Sequence, residues 1–399
     1  MTGVRKAAAR PKPAQSSNGY VSSVWDFPPD VDVSYAAHTI YRWYGTLPGP
    51  LVGRLLDLYA DPQSALPVWD PMCGGGTTLV EARLRGIPAV GWDVNPLACL
   101  VARAKIHSGA VSIADVDSAL EWIRARAAAP NWTGGFGDDS FAYAGKWFET
   151  AALDALLELT DVVAQVPASP STERILLLAL AASTRDIAEV DPRCTHHLVR
   201  KRKVGADPFD VFERKARGLA GALAAAPNLD QVSRISVDQC DMASASEPPP
   251  SSLAIVHPPY LGIIHYHLIH RLGTELLRWV NERRAPECLD GFLFDPDWIR
   301  SVDGSTDHEG AYGHFVDRMC STLEQGVVPG GHAVVIMGDG RHKGLLRHSF
   351  TNVIGVMESH GFAMEENFIW LLQNNGGMHV LRRGHHIDHN YIMVFRRQA

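Results

Sequence analysis

Short unbroken apolar runs alternate along the chain with stretches whose apolar residues recur every three or four positions. Runs of the first kind suit buried strands, and the second rhythm suits amphipathic helices. The clearest unit is VWDPMCGGGTTLVEARLRGIPAVGWDVNP, from Val68 to Pro96. Val68 and Trp69 end an apolar run, Gly74, Gly75 and Gly76 follow, Thr77 to Arg85 has helical spacing, and a second apolar run stops at Asp93. This predicts a strand, a glycine turn, a helix and a strand. Before it, Leu51, Leu55 and Leu58 mark a helix over Leu51 to Tyr59. After it, Asn95 and Pro96 start another, PLACLVARAK, with proline in the first turn, where its missing N–H does no harm.

From Gly109 to about Gln231 the pattern turns to long Ala- and Leu-rich helical segments, ETAALDALLELTDVVAQ and TERILLLALAASTRDIA, broken by loops at Asn131 to Phe141 and Asp191 to Pro208. This exceeds one crossover connection and predicts a helical insertion over 109–231. Strand patterns resume with VSRISVDQCDM from Val232, SLAIVHPPY ending at Tyr260, HAVVIMGD, FIWLL and YIMVF.

Composition narrows the class. With 399 residues, 46% of them hydrophobic, the chain can bury a large α/β core. The expected layout is one α/β domain over 21–108 and 232–399 with the insertion between its halves. A formal net charge of -7 excludes a uniformly basic nucleic-acid binder, so any such contact needs a local patch. The densest positive run is Arg200, Lys201, Arg202 and Lys203; Arg341 and Lys343 stand near a predicted strand tip and suit backbone contacts. Six cysteines without a CxxC pair argue against a disulfide framework or zinc ribbon and fit a reducing cytoplasm. The longest apolar helical run, Ile175 to Ala182, is far shorter than a membrane span. Residues 1–20, rich in Ala, Pro, Ser, Lys and Arg, read as a disordered tail.

Three consecutive glycines let backbone approach a ligand closely at a strand tip beside a helix N-terminus, where nucleotide-like molecules bind in parallel sheets. Asp93, about twenty residues past Gly74, is placed to accept hydrogen bonds from ribose hydroxyls, with Trp92 and Val94 as apolar neighbours for an adenine. Asp241, beyond the next strand, is placed to accept the adenine amino group, and Thr46 or the backbone near Leu47 to meet the far end of the ligand. The segment lacks the lysine of a P-loop and the spacing of the dinucleotide fingerprint. Asp70, directly before the turn, repels a pyrophosphate and attracts an ammonium or sulfonium. S-adenosylmethionine carries both.

In SLAIVHPPY two prolines fix the backbone and remove two N–H donors, leaving the carbonyls of His257 and Pro258 free to face a cleft as acceptors. Tyr260 offers a flat face for a nucleobase. Methylating an exocyclic amine calls for such acceptors, which draw its hydrogens out of the ring plane and free the lone pair.

On these residues the chain resembles the amino-group DNA methyltransferases, which make N4-methylcytosine or N6-methyladenine. DPMCGGGTT is similar to their cofactor loop, GWDVNP to the segment with their ribose-binding acid, and HPPY to their catalytic Asp/Asn/Ser-Pro-Pro-Tyr. The resemblance extends over roughly Ser34 to Arg397 apart from the insertion. It implies a Rossmann-like class I methyltransferase fold, a mostly parallel seven-stranded sheet ending in an antiparallel hairpin, with S-adenosylmethionine as cofactor. It implies a cofactor site of Asp70, Pro71, Cys73, Gly74, Gly76, Thr77, Thr78, Asp93, Asn95 and Asp241, and a catalytic site of His257, Pro258, Pro259 and Tyr260. DNA is the expected partner, with cytosine N4 favoured; adenine N6, RNA, or an idle nucleic-acid-binding module are the other readings. No restriction partner can be named.

His257 departs from the pattern, because imidazole accepts a hydrogen bond only when neutral. An acid limb at the His257 pKa, near ~6.5 if unperturbed, is the expectation. The clustered histidines 265, 267, 270, 379, 385, 386 and 389 lack the acidic or cysteine partners of a metal site, and no metal is expected. Cys73 reads as a small residue in a tight turn, since no Pro-Cys pair marks a cysteine nucleophile.

Overall fold

A computed structural model describes residues 14–15, 21–25, 32, 34–109, 111–127, 143–191, 198–201, 205–226, 234–260, 266–294, 309–342, 345–347, 349–371 and 389–399. The strands are β1 (Ala14–Gln15), β2 (Val21–Trp25), β3 (Val68–Asp70), β4 (Ala89–Asp93), β5 (Ile235–Gln239), β6 (Ser251–Val256), β7 (Val327–Met337), β8 (Gly340–His342), β9 (Leu345–Arg347), β10 (Phe362–Leu371) and β11 (His389–Arg397). The helices are α1 (Gly49–Tyr59), α2 (Thr77–Leu84), α3 (Pro96–Ile106), α4 (Ile113–Ala127), α5 (Thr150–Ala164), α6 (Pro170–Ile187), α7 (Pro208–Ala224), α8 (Tyr266–Arg284), α9 (Glu309–Gly326) and α10 (Ser349–Ser359).

Nine strands form one sheet in the order β1-β2-β10-β11-β7-β6-β3-β4-β5. The run β7-β6-β3-β4-β5 is parallel throughout. β11 inserts antiparallel between β7 and β10, which is the terminal hairpin. This is the Rossmann-like arrangement, with its order reversing at β3. The expected seven strands form its body, and β1 and β2 extend one edge, β2 lying parallel to β10. Ala14 and Gln15, expected in a disordered tail, thus belong to the sheet; the rest of 1–20 lies outside the described residues.

Helix starts follow local chemistry. Asn95, Ser169 and Asp207 each accept a hydrogen bond from a first-turn N–H of α3, α6 and α7, and proline follows at once in all three. Helices α4 to α7 fall within 109–231, and their Leu120, Leu156, Leu177 and Phe212 join one apolar core with Leu100 of α3, Leu277 of α8 and Leu79 of α2. On the other face, Phe315, Met319 and Leu323 of α9 and Met357 of α10 pack on Trp69, Ala254 and Val335. Among the described residues no helix is long and apolar enough to cross a membrane.

Candidate active site

The C-terminal tips of β3, β4, β5 and β6 open onto one cleft enclosing about 930 Å³ including its mouth. It is lined by Asp70, Pro71, Cys73, Gly74, Thr77, Thr78, Asp93, Asn95, Asp241, His257 and Pro259, so the glycine turn and the double-proline corner share a wall. Gly76, Pro258 and Tyr260 do not line it.

The turn after β3 is shaped by backbone. Gly74 and Gly76 have φ of 49° and 79°, a region where a side chain is strained. A Cβ on Gly74 would lie 2.7 Å from Nε1 of Trp43, and one on Gly76 2.8 Å from Cβ of Ala102. These glycines therefore serve close packing against Trp43 and α3 as well as any ligand. Gly76 acts as the left-handed residue that starts α2. Lys105, fully buried, donates from Nζ to the His38 carbonyl at 2.9 Å. Its ammonium would stand 3.3 Å from a Cβ on Gly75, and burial pulls its pKa down to about 8.

Asp93 ties the turn to the neighbouring strand. One carboxylate oxygen accepts the Gly74 N–H and the other the Asn95 N–H, both at 2.8 Å. Burial still pushes its pKa up to about 6, against the pull of those donors. Asp70 accepts the Met72 N–H at 3.2 Å. Burial raises its pKa to about 7, outweighing hydrogen bonds from Thr78 and Met72, and the charge of Asp93 adds to the rise. Asn95 caps α3 through Oδ1, while its buried Nδ2 has no partner among the described residues. Asp241 closes the turn after β5 by accepting the Ala243 N–H at 2.9 Å and the Ser244 hydroxyl at 3.1 Å.

These features fit S-adenosylmethionine. Two desolvated carboxylates call for a cation, and an ionised carboxylate has lone pairs left after one N–H bond per oxygen. The unpartnered Asn95 amide is a spare donor. Val94 lines the cleft as expected of an adenine neighbour; Trp92 does not, and its ring packs edge-on against Trp69 at 5.1 Å.

At the proline corner the structure corrects two expectations. Tyr260 is 7% exposed and packs among Met242, Phe315 and Val335, so its ring face is not offered to the cleft. Its hydroxyl lies 2.9 Å from Nε2 of His257. Burial pushes the His257 pKa down to about 4, opposed by a hydrogen bond to the Gly45 backbone that favours the protonated ring. His257 is therefore neutral, donating to Gly45 and accepting from Tyr260. An acid limb near ~6.5 cannot be its own. The Pro259 carbonyl accepts the Tyr312 hydroxyl at 3.0 Å.

Part of the wall comes from residues the motifs do not mark. Trp43, Tyr44 and Gly45 join Thr46 and Leu47 there, along with Tyr266 of α8 and Phe315 of α9. The signal was the aromatic run YRWYG before α1. Behind this wall Glu81, 1% exposed, takes hydrogen bonds from Tyr35 and His38 at Oε1 and an ion pair from Arg85 at Oε2.

Of the basic run, Arg200 and Lys201 are described, and neither lines the cleft. Arg200 is exposed and paired with Glu189 at 2.9 Å, and Lys201 is exposed. Arg202, Lys203 and Lys343 lie outside the described residues, as do His265, His379, His385 and His386. Of Arg341 only the backbone, in β8, is described.

No family model matches the chain, and no curated protein matches it. Solved structures with partial likeness include a Thermus thermophilus protein provisionally assigned as a DNA modification methylase, 19% identical over 40% of this chain and 49% of its own, at a TM-score of 0.21. The match thus spans about half of that protein's length. The same protein with S-adenosyl-L-methionine bound is 20% identical over 40% of this chain and 52% of its own, at 0.23. A SAM-dependent methyltransferase from Methanosarcina mazei is 8% identical over 86% of this chain and 97% of its own, at 0.34. TM-scores of this size fall short of a shared whole-chain fold, and the Rossmann-like architecture rests on the strand order above.

Proposed function

We propose that this protein transfers a methyl group from S-adenosylmethionine to the exocyclic amine of a nucleobase held out of its DNA helix, with cytosine N4 favoured. The observation that carries the reading is the single cleft shared by the triglycine turn with its two raised carboxyls and the double-proline corner at His257.

When bound, S-adenosylmethionine supplies an electrophilic methyl. Asp70 offsets the positive end of that cofactor, Asp93 accepts its ribose hydroxyls, and Asn95 Nδ2 donates to it. The backbone carbonyl of His257, which lines the cleft, accepts a hydrogen of the target amine, which readies its lone pair for in-line attack. His257 itself holds the corner in shape between Tyr260 and Gly45. With its pKa near 4 it is a poor proton acceptor, and the amine proton leaves to solvent. The ring placed to stack on the base is Tyr266, half-buried in the cleft wall, rather than Tyr260. Base extrusion into such a pocket is the general solution for chemistry on a paired base.

Incubating the protein with DNA and S-adenosylmethionine bearing a deuterated methyl, followed by nucleoside mass spectrometry, tests this. Mass-shifted N4-methylcytosine is expected. Label on adenine, or on RNA alone, would move the target within the same chemistry. Label in no base would overturn the reading.

A further inference from the structure

A second cavity, about 970 Å³ including its mouth, lies between the segment before α1 and the helices α6, α7 and α8. Its lining holds Arg42, Arg185, Arg214 and Lys215 against a single carboxylate, Asp186, in a chain whose formal net charge is -7. Asp186 is paired with Lys215 at 2.8 Å. Two of the guanidinium groups crowd one ring: Arg42 and Arg185 stand 5.1 and 5.6 Å from the centre of Tyr44. His270, 5% exposed, also lines the cavity, and its Nε2 has no hydrogen-bond partner among the described residues.

The position of the cavity says which anion. Tyr44 lines both this cavity and the cofactor cleft. Trp43, on the cleft side, stacks on His270 with ring centres 4.2 Å apart and planes at 6°. The two spaces are thus separated by a wall about one ring thick. A nucleic-acid strand with one base in the cleft carries its neighbouring phosphates past that wall. Arginine forks match phosphate oxygens two at a time.

We infer that this cavity, rather than the basic run at Arg200, holds a backbone phosphate of the nucleic-acid strand beside the target base, with Arg42 and Arg214 as its main ligands and His270 as a neutral partner. The inference rests on the nucleic-acid reading above and adds to it where the strand runs: over α6 and α7 of the insertion. Both arginines are exposed, so replacing them leaves the core intact.

The test is fluorescence anisotropy of the full chain with a short labelled DNA duplex between about 50 and 200 mM salt, where each phosphate contact contributes a slope of roughly 0.9 in log Kd against log salt. Arg42→Gln with Arg214→Gln, which removes both ligands of that one phosphate, is expected to lower that slope by about 0.9 and to weaken binding by about tenfold. Arg396→Gln, which removes one positive charge from the Glu365 pair on β11, is expected to leave both unchanged. Calorimetry with S-adenosylmethionine is run on the same proteins. An unchanged slope and affinity in the double variant, or wild-type protein that binds the cofactor and no DNA, overturns the inference and spares the cofactor reading. Arginine-dependent DNA binding by a protein that takes no S-adenosylmethionine upholds the inference and overturns the methyltransferase reading.

Discussion

Asp93 Oδ2 accepts the Gly74 N–H at 2.8 Å, so the acid at the tip of β4 holds the glycine turn that follows β3. One side chain both shapes the glycine turn and lines the cleft. Asp93→Asn keeps the size of the group and replaces one acceptor oxygen with a donor. It is expected to cost about 1.5–3 kcal/mol of binding, a ten- to hundredfold loss in affinity for S-adenosylmethionine. Isothermal calorimetry reads it directly.

The paired carboxyls predict how pH acts. Asp70 and Asp93 titrate near 7 and 6 in the folded chain, above the unfolded value near 3.9. The folded state therefore holds more protons than the unfolded one between about pH 4 and 7, and this part of stability declines as pH rises through that window. A cationic ligand favours the ionised forms and reverses the penalty. The rise in melting temperature given by saturating S-adenosylmethionine is expected to be larger at pH 8 than at pH 5.5. A rise independent of pH would contradict this.

Methyl transfer is expected to fall with acidification through pH 7 to 6, following the two carboxyls, whereas His257, lowered to about 4, titrates beneath that range. The limb should persist in His257→Asn. Tyr260→Phe removes the hydroxyl that fixes the His257 ring and is expected to lower kcat by about tenfold, the scale of one lost buried hydrogen bond, with cofactor affinity unchanged. Single-turnover rates across pH for the three proteins check both points.

Glu81 is the buried acid behind the aromatic wall. Burial opposes its ionisation, but hydrogen bonds from His38 and Tyr35 and the charge of Arg85 prevail and hold its pKa below the usual value. The stability it adds is present at neutral pH and is lost as pH falls through that lowered pKa. Glu81→Ala strands these partners and is expected to cost about 3 kcal/mol, seen as a lower urea midpoint with an unchanged slope.

The strand, turn, helix, strand unit at Val68 to Asp93 was legible because its signals are local: apolar runs, three glycines and a following helical rhythm. The helix start at Asn95 was legible for the same reason. The fate of Tyr260 was not, since its burial depends on Phe315 of α9 arriving from a segment more than fifty positions away. The glycines were read as making room for a ligand, whereas their Cβ directions meet Trp43 and Ala102, neighbours that only the folded chain brings together. Trp92 was misplaced because its ring packs on Trp69 of the neighbouring strand, a contact that only the folded sheet brings about. The basic run drew attention by density in sequence, yet Arg42, Arg185 and Arg214 converge from three separate segments.

Calorimetric titration of S-adenosylmethionine into the wild-type chain and into Asp70→Asn with Asp93→Asn at pH 8 tests the central claim most directly. One cofactor bound per wild-type chain, and none measurable in the double variant, is the predicted result. Equal binding by both proteins, or by neither, would contradict the assignment of the cleft.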